Sequence, residues 1–79
     1  MELGTLKSMF EKGVFSGALV APAPMVSGKF NLILQENNGN TSLVTKARTV
    51  EPKEYSTYTS AVNDAQRIGF KKVTIELNN

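Results

Sequence analysis

Residues 58–77 read YTSAVNDAQRIGFKKVTIEL, and this stretch decides the fold. Its first half has the period of a helix. Tyr58, Ala61, Val62, Ala65 and Ile68 recur at i, i+3, i+4, i+7 and i+10, which makes one apolar stripe. Thr57 or Ser56 stands where a hydroxyl caps the first turn. Gly69 suits the left-handed position that ends a helix, and Phe70 after it folds back on the last turn in a Schellman ending. From Lys72 to Leu77 the period drops to two, with Val73, Ile75 and Leu77 inward and Thr74 and Glu76 outward. A helix running into such a strand is the second half of a βαβ crossover, which is normally right-handed.

The strand before that helix lies upstream. Lys29 to Glu36 is the clearest one: Phe30, Leu32 and Leu34 alternate with Asn31 and Gln35, and Ile33 alone breaks the pattern. Asn37-Asn38-Gly39-Asn40 is a hairpin turn, because Asn and Gly tolerate positive φ. The return strand runs from Thr41 to about Arg48 and is rich in Thr and Val. Leu43, Thr45 and Ala47 are expected under the helix, with Ser42, Val44, Lys46 and Arg48 on the opposite face. Glu51-Pro52 breaks the chain, and Lys53 to Ser56 reads as a short third strand. The last strand is expected parallel to Lys29–Glu36 and beside it. Ile68 and Ile75 are both expected in the core.

Toward the N-terminus the pattern is less regular. Ala18-Leu19-Val20-Ala21 has the composition of a short strand, but Pro22 and Pro24 remove two backbone donors. The segment is therefore expected at an edge or as a crossing stretch, not in the centre of a sheet. Glu2 to Lys12 reads as a helix with Leu3, Leu6, Met9 and Phe10 on one stripe and Gly13 as its stop. So short a helix is unstable alone, so it must dock on its own sheet or on a second chain. The expected fold class is α+β: a small mixed four-stranded sheet (hairpin, short strand, helix, strand) with one covering helix, plus a short N-terminal helix. Residues 1–79 are read as one domain, and residues 1–13 as an N-terminal helix assigned to dimerisation.

The chain has 79 residues, so it buries only roughly 60–65% of its unfolded surface. It contains no cysteine and no histidine. A disulfide framework is thereby excluded, the favoured ligands of zinc and copper are missing, and no cofactor is expected. A hydrophobic fraction of 41% argues against disorder. No apolar run approaches the ~20 residues that span a bilayer, so no membrane association is expected. Glu2 and Glu11 flank the first apolar positions, where a signal peptide needs a basic leader. Cytoplasmic is the expected location.

Catalysis has little to work with. General acid–base chemistry most often uses His, and thiol nucleophiles are absent. The seven carboxylates are scattered, and the closest pair, Glu51 and Glu54, flanks Pro52 in a turn where exposed acids are ordinary. Gly13-Val14-Phe15-Ser16-Gly17 lacks the Lys and the preceding strand of a phosphate loop. The expectation is a protein that is not an enzyme. Nine basic residues against seven acidic ones leave a net charge of +2. Lys46, Arg48 and Lys53, with Tyr55 beside them, form the candidate contact patch. Leu3, Leu6, Met9 and Phe10 form the candidate dimer or partner face.

A set of residues spread over most of the chain carries a resemblance. They are Ala23-Pro24-Met25, Phe30 and Leu32, Gly39, Leu43-Val44-Thr45-Lys46-Ala47-Arg48, Lys53-Glu54-Tyr55 leading into Ala61, and Ile68-Gly69-Phe70 with the closing strand. In these the chain resembles the small plasmid-borne, partition-associated family of ParC type. After the strand-ending Arg, where that family tends to have Gly, this chain has Thr49. The resemblance implies an accessory protein of a mobile element and carries over no catalytic residue. The leading expectation is a protein–protein interaction module, serving replication or partition or inhibiting a host defence complex, with a protein partner or a second copy of itself. The alternative is a small basic nucleic-acid binder using Lys46, Arg48 and Lys53.

Overall fold

A computed structural model describes residues 3–24, 26–46 and 51–76. The elements run α1 (Leu3–Glu11), β1 (Phe15–Pro22), β2 (Phe30–Glu36), β3 (Thr41–Leu43), α2 (Tyr58–Ile68) and β4 (Thr74–Ile75). The strands form one sheet in the order β3-β2-β1-β4. β1–β2 and β2–β3 pair antiparallel, and β1–β4 pair parallel. The fold is α+β, with a mixed four-stranded sheet, a covering helix and a short N-terminal helix, as the pattern predicts.

Both helices end as their glycines require. Val14 donates to the Met9 carbonyl at 3.2 Å and Gly13 to that of Phe10 at 2.9 Å, which is a Schellman ending on α1. In α2, Thr57 caps the first turn by accepting from the Ser60 amide at 3.1 Å. At its far end Phe70 donates back to the Ala65 carbonyl at 3.1 Å. Gly69 sits at φ 134°, and a Cβ there would stand 2.6 Å from the Phe10 ring. Glycine at that position is what lets α1 approach the end of α2.

The sheet is wired differently from the expectation in three respects. β1 is a central strand, hydrogen-bonded on both sides. The prolines do not forbid this, because Pro22 is the last residue of the strand and Pro24 lies beyond it. Pro22 pairs with Phe30, but the next bond to the β2 side is made by Ala23, which donates to the Lys29 carbonyl at 2.8 Å. β4 pairs only with Leu19 and Val20, so the missing Pro22 donor breaks no bond on either side. β4 accordingly pairs with β1 and not with β2, through Leu19↔Thr74 and Val20↔Ile75. Residues 53–56 form no strand of the sheet. They are held by one isolated bridge, Phe30↔Tyr55, and a second, Thr45↔Pro52, precedes them. The return strand keeps only Thr41–Leu43, and residues 47–48 of the expected Thr41–Arg48 span lie outside the described residues.

Even-numbered residues of β1 and β2 face the helices. Ala18, Val20, Leu32 and Leu34 form one core with Leu6 of α1 and with Ala61, Ala65 and Ile68 of α2. Leu6, Val20, Leu32, Leu34, Val44 and Ile68 are all under 2% exposed. Each such side chain contributes roughly 1.5–3 kcal/mol of apolar burial. The hairpin register continues this parity into β3: Leu34 faces Ser42 and Ile33 faces Leu43. So Ser42 and Val44 are buried and Leu43 is exposed, the reverse of the expected faces. The two expected core isoleucines also part company. Ile68 is 1% exposed, whereas Ile75, on the edge strand, is 40% exposed.

Candidate interaction surfaces

Tyr55 and Lys53, expected on a contact patch, are gathered instead around Asp64 of α2. Tyr55 is 4% exposed and its hydroxyl donates to Asp64 Oδ2 at 2.6 Å. Lys53 Nζ donates to the same oxygen at 2.8 Å and lies 5.2 Å from the Tyr55 ring centre. Arg67 Nη1 stands 3.7 Å from Oδ1. Burial, reinforced by the hydrogen bond to the Asp64 carboxylate and its charge, pushes the Tyr55 phenol far above its ordinary range. The phenol therefore stays protonated and serves as a donor, not as a base. With the carboxylate occupied by its neighbours, the cluster ties α2 to the segment after Pro52. Among the described residues no buried side-chain nitrogen or oxygen lacks a partner.

The other patch residues do not join this cluster. Lys46 Nζ lies 3.4 Å from Glu51 Oε2, with both side chains exposed. Arg48 lies outside the described residues. Lys46 and Lys53 thus each face an acid, and Tyr55 is withdrawn into the core. Asp64 was passed over as one carboxylate among seven. Its signal was its place on α2, at i+3 from Ala61 and four residues before Ile68, on the stripe that faces the core.

The apolar stripe of α1 is consumed within the chain. Leu6 is fully buried, and Leu3, Met9 and Phe10 pack on the same core. Phe10 meets Phe70 edge-on with ring centres 4.9 Å apart, and Phe15 lies 5.9 Å from Phe70 on the other side. Leu6 shares its core with the even-numbered residues of β1 and β2, so α1 joins α2 on one side of the sheet. The stripe expected to serve as a dimer face is therefore mostly an internal contact.

What remains is the opposite face of the sheet. The register sets Leu19, Ile33 and Leu43 side by side in one row across β1, β2 and β3. Gly17, Gln35 and Thr41 flank this row on one side, and Ala21 and Asn31 on the other. None of these side chains is charged. Leu43 is 39% exposed, and Leu19 and Ile33 are half-buried. Beyond Leu43 the face runs into a hollow of about 190 Å³ walled by Ala23, Pro24, Val26 and Pro52, with Glu54 at its edge. No described helix covers this face.

Among the described residues there is no cluster of three or more acidic side chains able to hold a metal ion, and no helix long and apolar enough to cross a membrane. Comparison with family models, with curated proteins and with solved structures finds no match for the chain.

Proposed function

We propose that the chain is a non-catalytic accessory protein of a mobile genetic element that works by binding other protein chains, and that its working unit is a homodimer joined through the uncovered face of the sheet. The mobile-element setting rests on the resemblance to the partition-associated family. The binding role rests on one observation, the uncharged row Leu19–Ile33–Leu43 on a face that no described helix covers and that the Lys53 segment closes only at its Asn31 end. An apolar row flanked by neutral side chains gains free energy only against a surface that is also apolar and neutral. A second copy supplies such a surface, and two copies related by a twofold axis place Ile33 against Ile33 in a self-complementary contact.

Strand spacing and rise give this face on the order of 400 Å² per copy. Two copies together bury about 800 Å², short of the roughly 1,000 Å² that stable interfaces clear, so this contact is a weak one. The dimer is therefore expected to be transient and to form only as the chain is concentrated. The nucleic-acid reading finds less support, because Lys46 and Lys53 each face an acid. Sedimentation equilibrium from micromolar to millimolar chain tests the proposal. Wild type should pass from one chain to two, and Leu43→Lys should remain a folded monomer. A wild-type protein that stays monomeric throughout the range refutes the homodimer.

A further inference from the structure

Phe10, Phe15 and Phe70 do more than close the core. They wall a groove of about 360 Å³ at the start of β1, floored by the backbone of Gly17 and Gly69 and rimmed by Lys71 and Lys72. The groove lies on the helix side of the molecule, because its rings belong to the core cluster under α1 and α2. It is distinct from the neutral face that joins the proposed dimer.

Three features define what it accepts. Phe10 and Phe15 are half-buried, so part of each ring is open to a ligand. At Gly69 the floor is bare backbone, because nothing larger fits there beside Phe10. Lys71 and Lys72 are exposed, and neither has an ion-pair partner among the described residues. No acidic side chain lines the groove, so it presents an aromatic hollow under two uncompensated positive charges.

We propose that this groove binds an acidic segment of another protein, seating one large apolar side chain among Phe10, Phe15 and Phe70 while flanking carboxylates pair with Lys71 and Lys72. The apolar anchor supplies affinity through desolvation. The lysines select for acidic flanks and speed encounter. A nucleic acid with a stacked base is disfavoured by the ring geometry. Phe70 meets Phe10 at 67° and Phe15 at 44°, so the rings form a concave wall instead of a flat platform. Stacking requires an open ring face along the strand path.

The test titrates the isotope-labelled full-length chain with a short synthetic peptide, Asp-Glu-Leu-Phe-Asp-Asp, and follows backbone amide shifts. Shifts should cluster at Phe10, at residues 15–17 and at residues 69–72, and binding should weaken with added salt. Lys71→Glu with Lys72→Glu should lower affinity about tenfold or more, since two attractive surface pairs become repulsive. These residues are exposed, so circular dichroism should report an unchanged fold. Two probe variants need no change in the protein: lysines in place of the acids, or alanines in place of Leu-Phe, should each abolish the shifts. The proposal is overturned if no shifts appear at millimolar peptide, or if the lysine peptide binds as well as the acidic one. It is equally overturned if single-stranded oligothymidylate binds these amides more tightly than the peptide. Leu43→Lys should leave peptide binding intact, which keeps this site separate from the dimer face.

Discussion

Replacing Asp64 with alanine should be the most informative single change outside the apolar core. The carboxylate is the only acceptor shown for the Tyr55 hydroxyl, which is buried. Without it the hydroxyl keeps its desolvation and loses its bond, a loss of about 1–3 kcal/mol. The Lys53 contact adds less. That side chain is 39% exposed, so its ammonium returns to water, and the contact is worth at most about 1 kcal/mol. The Arg67 pair is long and exposed at its cationic end, and contributes nothing measurable. Alanine regains about 0.5 kcal/mol of helix propensity. The net expectation is a loss of about 1–3 kcal/mol, against a total stability of roughly 4–12 kcal/mol for a chain of this length. Urea denaturation followed by circular dichroism measures it, with an expected midpoint drop of about 1 M or more. Tyr55→Phe should cost less, about 1–2 kcal/mol, because Lys53 still holds the carboxylate. The double variant should be more stable than the sum of the singles predicts, by about 1 kcal/mol, since it leaves no orphan hydroxyl. An Asp64→Ala protein within about 0.5 kcal/mol of wild type, or strict additivity, would refute the claim that the pair acts as a unit.

Alkaline unfolding should report the same phenol. Its folded pKa is raised by burial and by Asp64, so its contribution is fully present below the unfolded value near pH 10 and declines above it, by about 1.4 kcal/mol per pH unit; Tyr55→Phe should flatten that decline in urea titrations between pH 9 and 11. Ile68→Asp should unfold the chain, because it buries an unpaired charge at a 1% exposed site, while Ile75→Asp at the 40% exposed edge should lower stability by less than about 1 kcal/mol; thermal melts of the two variants should differ accordingly. Gly69→Ala meets both a left-handed φ and the Phe10 ring, so its melting temperature should fall by about 10 °C or more. A Gly69→Ala melting temperature equal to wild type would mean that α1 does not pack on the end of α2.

Candidate surfaces were less legible in the sequence than secondary structure. The aromatic groove joins residues from α1, β1 and the turn after α2, and no local pattern links Phe10 to Phe70. Two members of the contact patch are placed elsewhere for a related reason. Lys53 and Tyr55 read as part of a short strand near Arg48, but α2 brings Asp64 down onto both. The apolar row on the open face was hidden by parity. Ile33 looked like an exception in its strand, and only the hairpin register set it beside Leu43.

Local rules sufficed wherever the decisive interaction lies within a few residues. The helix period, the Thr57 cap, the glycine endings at Gly13 and Gly69 and the turn at residues 37–40 all depend on near neighbours, and the sequence alone determined them. Strand order depended on partners far apart in the chain. Whether β1 was central or at an edge turned on which side the missing Pro22 donor faced and on how far β4 ran beside it, and composition does not record that. The faces of the return strand turned on a one-residue choice of register, which reverses every side chain. Tertiary packing made that choice by burying Val44 beneath the helices and leaving Leu43 outside, because the core there had room for one side of the strand and the other side had no helix to cover it.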